Sequence, residues 1–145
     1  MTAKEYLQQL RRQELLIQQR KQELAHLRLT LDGLGGTDFS RERVQGGPLN
    51  SSVVENKALQ MCELESEING MFDDYFQLLG VIIRQIQGLG NQSQIQLLFK
   101  RYIEGKKLRD IAKEMGYSYV YVKELHKKSL QNFESSYQIL PNPTF

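Results

Sequence analysis

Six side chains near the end of the chain have the types and spacing to do chemistry together. Tyr119, Tyr121, Lys123, Glu124, Lys127 and Lys128 fall in one stretch whose intervening apolar positions recur at helical spacing. On a helix with Val122, Leu125, Ser129 and Phe133 turned inward, all six face outward. Ammonium and phenol groups on one exposed face suit a polyanion whose interior edges carry hydrogen-bond partners, which describes a nucleic-acid duplex. Tyr119 and Tyr121, at the start of the helix, are placed to touch bases or thymine methyls. Lys127 and Lys128, further along, are placed to meet phosphate. Glu124 suits a cytosine amino group, or a lysine one turn on.

The charge distribution runs the same way. The 145 residues carry a formal net charge of only +2, but residues 91–133 hold nine Lys/Arg against four Asp/Glu, or +5. Residues 51–90 hold two against six, or −4. Positive charge gathered in one third of a chain is the electrostatic footprint expected of a nucleic-acid binder.

That face needs a frame, and the preceding residues supply one. Leu108 to Met115 reads as a short helix that Gly116 stops, and Ser118 caps the next helix, which reaches Ser135 or Tyr137. Ala112 is small where two helices must cross closely. Gly116 stands where the chain has to turn left-handed. Ile111, Met115, Val122 and Leu125 close a small core between the helices. The spacing of Ala112, Gly116, Val122 and Leu125 is that of a helix-turn-helix, and Ser93 to Glu104, stopped by Gly105, reads as the third helix of such a domain.

Residues from about Leu97 to Phe133, with Arg101-Tyr102, Gly105, Ile111-Ala112, Gly116, Ser118, Val122, Leu130 and Phe133, resemble region four of bacterial sigma factors. The whole chain resembles the small regulators of phages and prophages of Gram-positive bacteria, of the RinA and ArpU type. The resemblance implies promoter recognition in phage or prophage transcription and contact with RNA polymerase. It implicates Tyr119, Tyr121, Lys123, Glu124 and Lys127 in base or backbone contacts, and Arg109 near phosphate. Nothing in the chain resembles the promoter-melting region of a full sigma factor.

The N-terminal part must carry or partner this domain. Thr2 to Leu31 reads as one long helix opened by a Thr2/Glu5 capping box, with Leu10, Ile17, Leu24 and Leu31 as a narrow seam. Residues 32–50, with five glycines and Pro48, read as a flexible loop. A second long helix is expected from Ser52, boxed by Glu55, to Leu89. Its apolar stripe includes Val54, Met61, Leu64, Ile68, Phe72, Tyr75, Ile82 and Ile86, with Gly70 and Gly88 on the opposite face. The expected fold is all-α: a long antiparallel helical hairpin over residues 1–90, a helix-turn-helix domain over 91–137 and an irregular tail over 138–145. The stripe is wider than the first helix covers, so the rest is expected to meet the C-terminal domain or a second copy of the chain, and a homo-oligomer is expected, a dimer above other states.

Other chemistry finds little support. Cys62 stands alone, so neither an internal disulfide nor a thiolate metal cage can form, and it reads as a small buried hydrophobe. His26 and His126 lie far apart and read as surface histidines. Asp73-Asp74 reads as a solvated face. There is no phosphate-cradling glycine loop and no activated Ser or Cys, so the expectation is a non-enzyme without cofactor or metal. No apolar run approaches the roughly 18 residues of a membrane span, and no signal peptide precedes the first helix, so the expected setting is a soluble cytoplasmic one without membrane contact. Two alternatives to transcription regulation remain at this point: a small terminase-like DNA-packaging subunit, and a coiled-coil interaction protein that does not bind DNA.

Overall fold

The computed structural model describes residues 1–36 and 47–137, and every regular element among them is a helix. In chain order these are α1 (Ala3–Gly36), α2 (Gly47–Gln87) and α3 (Gln92–Leu98), which continues into a π-helical turn (Phe99–Ile103), then α4 (Leu108–Met115) and α5 (Tyr119–Tyr137). The all-α expectation holds.

Some limits differ from the sequence reading. α1 runs on through Gly33, Gly35 and Gly36, and α2 already begins at Gly47, so the stretch expected as a loop is helical at both ends. Extending an existing helix adds one backbone hydrogen bond per residue fixed. That gain offsets part of the roughly 1 kcal/mol a glycine costs relative to alanine. Pro48 lies in the first turn of α2, where its missing N–H costs no bond, so this helix starts ahead of the Ser52/Glu55 box. The rest of the expected loop and the expected tail lie outside the described residues.

The chain divides into two compact units, Met1–Glu14 with Tyr75–Phe145 and Leu15–Asp74. Compactness thus groups the start of α1 and the end of α2 with the short helices, whereas the sequence suggested a boundary at Gly90.

In the first unit, Ala3, Leu7, Leu10, Ile82, Ile86, Leu98 and Phe133 form a buried cluster. The capping box expected at Thr2 is made in both directions, with Thr2 N–H donating to Glu5 Oε2 at 2.9 Å and Glu5 N–H to Thr2 Oγ1 at 3.2 Å. A third free amide of α1, Ala3 N–H, donates to Glu134 Oε1 of α5 at 2.9 Å. Tyr6 Oη donates to Gln85 Oε1 at 2.7 Å, and further along α1 the Glu14 carboxylate acts on Tyr75, further back on α2. These segments therefore run antiparallel. Gly88 does not lie on an open face: a Cβ there would stand 2.6 Å from Tyr137 Oη, which donates to Gln85 O at 2.5 Å.

The second unit pairs the middle of α1 with the first part of α2. Leu24, Leu64 and Ile68 are its buried cluster, edged by Leu27, Met61 and Phe72. Lys21 Nζ lies 4.7 Å from the Phe72 ring centroid, and Arg28 pairs with Glu65 at 2.7 Å, so here too the segments run antiparallel. The α1 seam is as expected at Leu10, Ile17 and Leu24, all buried. Cys62 is exposed rather than buried, because it follows Met61 around the helix and misses the stripe that Leu64 and Ile68 define.

Candidate nucleic-acid interface

α4 and α5 meet over a cluster of Leu97, Ile111, Ala112, Val122 and Leu125, edged by Leu108 and Met115. Ile111 and Val122 are wholly buried and Ala112 nearly so, as the spacing required. Gly116 ends α4 at φ +73°, and the next amide, Tyr117 N–H, donates back to Ala112 O at 3.0 Å. This closes the last turn with the left-handed residue that glycine supplies without strain. Ser118 Oγ accepts from Tyr121 N–H at 3.1 Å and so caps α5. All five expected core residues of the motif and its expected cap are thus brought together.

The far half of α5 anchors the first half. Phe133 is fully buried and its ring lies 5.9 Å from Tyr6 and 5.0 Å from Tyr137. Ser129 is buried too, its hydroxyl satisfied by Leu125 O at 2.6 Å, and Asn132 Nδ2 donates to Gln94 Oε1 at 2.7 Å. One unbroken helix of 19 residues therefore joins the exposed face to the core around α1 and α2.

On the exposed face, Arg109, Ser118, Tyr119, Tyr121, Lys123, Glu124, Lys127 and Lys128 all lie at the surface. Tyr119 sits beside two cations: Arg109 Cζ is 5.0 Å and Lys123 Nζ 4.8 Å from its ring centroid. Tyr117 and Tyr121 pack edge to face at 4.8 Å. Arg109, Ala112, Lys113, Tyr117 and Tyr119 line an open groove of about 480 Å³ between the two helices. Among the described residues, no carboxylate oxygen comes within 4.0 Å of the charged atoms of Arg109, Lys113, Lys123, Lys127 or Lys128. Glu124 accordingly makes no ion pair with either lysine of the following turn.

Three residues of this face escaped the sequence reading. Val120 is the most exposed apolar residue here, at 69 %. Its position two residues before Val122, nearly opposite on a helix, was the available signal. Tyr117 and Lys113 belong to the groove through the turn geometry, which periodicity does not report.

The flank of the domain is electrostatically different. Lys106 reaches Glu114 at 2.7 Å and Glu104 at 3.1 Å, and Lys100 reaches Glu114 at 3.2 Å. The hydrogen bond to Glu114 holds the Lys106 ammonium above its ordinary range, and the one from Lys106 holds the Glu114 carboxyl below its own. The turn before α4 is a wide one: Glu104 N–H donates five residues back to Phe99 O at 3.1 Å, and Gly105, at φ +72°, lets Lys106 N–H reach Lys100 O.

His126 is not a surface histidine. It lies one residue past Leu125 and four past Val122, on the shoulder of the buried stripe, and its Nε2 is 2.8 Å from Tyr102 Oη. The two rings stack at 5.8 Å. Burial pushes the imidazole down to about 4, with the Arg101 and Lys4 charges adding to the effect, so it is neutral at pH 7. Burial also pushes the Tyr102 phenol up to about 12. His26, by contrast, is exposed, as are Asp73 and Asp74.

Comparison with protein-family models, curated proteins and solved structures gives no match. Among the described residues, no group of three or more His, Cys, Asp or Glu side chains could hold a metal, and no helix is long and apolar enough to cross a membrane.

Proposed function

We propose that this protein binds double-stranded DNA sequence-specifically, laying the first half of α5 in the major groove, and that it regulates transcription of phage or prophage genes in contact with RNA polymerase. The observation that carries the DNA-binding reading is the face itself. Five cations from α4 and α5 lack carboxylate partners among the described residues, and two of them, Arg109 and Lys123, lie against the exposed Tyr119 ring on a helix-turn-helix frame. Unneutralised cations gain most from a phosphate backbone, because each contact releases a condensed counterion. The transcriptional role and the polymerase contact rest on the resemblance to sigma region four. A cytoplasmic setting goes with both.

A second copy of the chain is the proposed partner of the long helices, a dimer above other states. Among the described residues of the unit Leu15–Asp74 only Ile17, Leu24, Leu64 and Ile68 are buried, while Leu15, Leu16, Leu29 and Leu59 are exposed. Light scattering on the eluting species reads the stoichiometry.

The test of DNA binding is mobility of the full chain on promoter-region duplex over a salt series. Lys123→Ala and Lys127→Ala are each expected to weaken binding and to shallow the salt dependence by about one unit per lost phosphate contact. Equal binding by the wild type and a variant lacking Tyr119, Lys123 and Lys127 together overturns the assignment of the face.

A further inference from the structure

The inference rests on the DNA-binding reading and concerns the part Tyr119 plays in it. A tyrosine exposed in the first turn of a recognition helix is ordinarily placed to touch a base. Here the ring already has neighbours. Arg109 comes from α4 and Lys123 from one turn further along α5, and their charged groups both lie within 5.0 Å of the same ring centroid. Cations at that distance are drawn to the negative face of an aromatic ring.

Without the ring, two like charges on long side chains would spread apart, both to lessen repulsion and to keep their rotamer freedom. The ring therefore opposes the natural dispersal of Arg109 and Lys123. Beside them lies the groove that Arg109, Lys113, Tyr117 and Tyr119 line, with the near-buried Ala112 as its floor. Two cations, Arg109 and Lys113, thus line this concavity, Lys123 lies against the Tyr119 ring that forms part of its wall, and among the described residues none of the three has a carboxylate within ion-pair distance. A groove of that charge fits a phosphate group better than a base edge, since a phosphate supplies the missing negative charge and several acceptor oxygens.

We propose that Tyr119 is a positioning residue, holding Arg109 and Lys123 together as a seat for one DNA phosphate, and that the apolar base contact at the start of α5 falls instead to Val120. Val120 is exposed, carries no polar group in its side chain, and is of a size to meet a thymine methyl. Tyr121 stays available beside it, steadied by Tyr117.

The test selects sequences from a randomised duplex pool with the full chain and measures the salt dependence of binding to one selected duplex. Tyr119→Leu is expected to weaken binding several-fold across all pool members alike and to lower the salt slope by about one. Tyr119→Phe, which keeps the ring, should restore both. Arg109→Gln should lower the slope similarly, and the Tyr119→Leu/Arg109→Gln double variant should add little to either alone. Val120→Ala should change the selected sequence while leaving the slope as it is. In the free protein, the side-chain protons of Arg109 should carry an upfield ring-current shift that Tyr119→Leu abolishes. A Tyr119→Leu variant that selects a different sequence at unchanged slope overturns the proposal, because Tyr119 then reads a base. So do additive losses in the double variant, or an Arg109 spectrum that Tyr119→Leu does not alter. If Lys127→Ala weakens binding but Tyr119→Leu does not, the seat fails and the DNA-binding reading stands. If the wild type binds no duplex at low salt, both fall.

Discussion

Two regions built from similar residues use their charges in opposite ways. In the unit Leu15–Asp74, Arg20 reaches Glu23 and Glu67, and Arg28 reaches Glu65. Across α4 and α5, Arg109, Lys113, Lys123, Lys127 and Lys128 have no such partners among the described residues. The cores differ in the same sense. Around α4 and the first half of α5 five residues close one compact cluster, whereas the far longer helices of the two-helix unit bury only Ile17, Leu24, Leu64 and Ile68 among the described residues. A region whose charges satisfy one another has little left to attract a polyanion. A region that keeps its cations unpaired pays in self-repulsion, and a tight apolar core makes that tolerable. The comparison thus separates charge that is paired within the chain from charge left without a carboxylate partner among the described residues.

The largest effect expected to test this contrast comes from removing the anchor and leaving the face intact. Phe133→Ala deletes a fully buried ring from the cluster around Ala3, Leu7 and Ile86, which should cost about 3–5 kcal/mol. Thermal unfolding by circular dichroism should show a large drop in Tm, and duplex binding should fall although no face residue has changed. Retained stability would mean that α5 does not depend on its far half.

The turn comes next. Gly116→Val forces a β-branched residue to φ +73°, where strain of about 1–3 kcal/mol is expected. Denaturant unfolding should show that loss, and the salt slope of the surviving folded protein should be unchanged.

His126 adds a pH signature to the first unit alone. Its folded pKa of about 4 lies below the ordinary 6.5, so the stabilising effect of its neutral form is complete above pH 6.5 and disappears as pH falls toward 4, where the unfolded chain binds the proton first. The groups facing it are Tyr102, Arg101 and Lys4. Discounted for partial exposure, the loss should be on the order of 1 kcal/mol. His126→Leu should flatten stability between these pH values. An unaltered profile in that variant would place the titration elsewhere.

The smallest effects give the sharpest comparison. Arg28→Gln breaks an exposed pair and should change stability by less than about 1 kcal/mol, leaving duplex binding as it was. Lys123→Gln should do the reverse, with stability within roughly 0.5 kcal/mol of wild type and a shallower salt slope. If the two variants behave alike in both assays, the distinction between paired and unpaired cations carries no functional meaning.

Much of the site was legible because it depends on near neighbours. Ala112, Gly116, Ser118, Val122 and Leu125 stand within fourteen residues, and their roles follow from helix periodicity, a left-handed turn and a cap. The outward side of α5 followed from the same periodicity, which also sets Val120 opposite Val122. What periodicity could not show is which element covers a given shoulder. His126 looks exposed until the Tyr102 ring is laid on it, and Gly88 looks idle until Tyr137 arrives.

The sequence by itself determined the all-α class, the helix-turn-helix register and the outward cationic face, because hydrogen bonds and side-chain directions within a helix are local. Tertiary structure alone decided that Glu134 caps α1 across 131 residues, that α2 belongs to two compact units, and that Arg109 and Lys123 share the ring of Tyr119. Those outcomes depend on the packing of residues distant in the chain, and no local preference for one helix encodes what its neighbour will present.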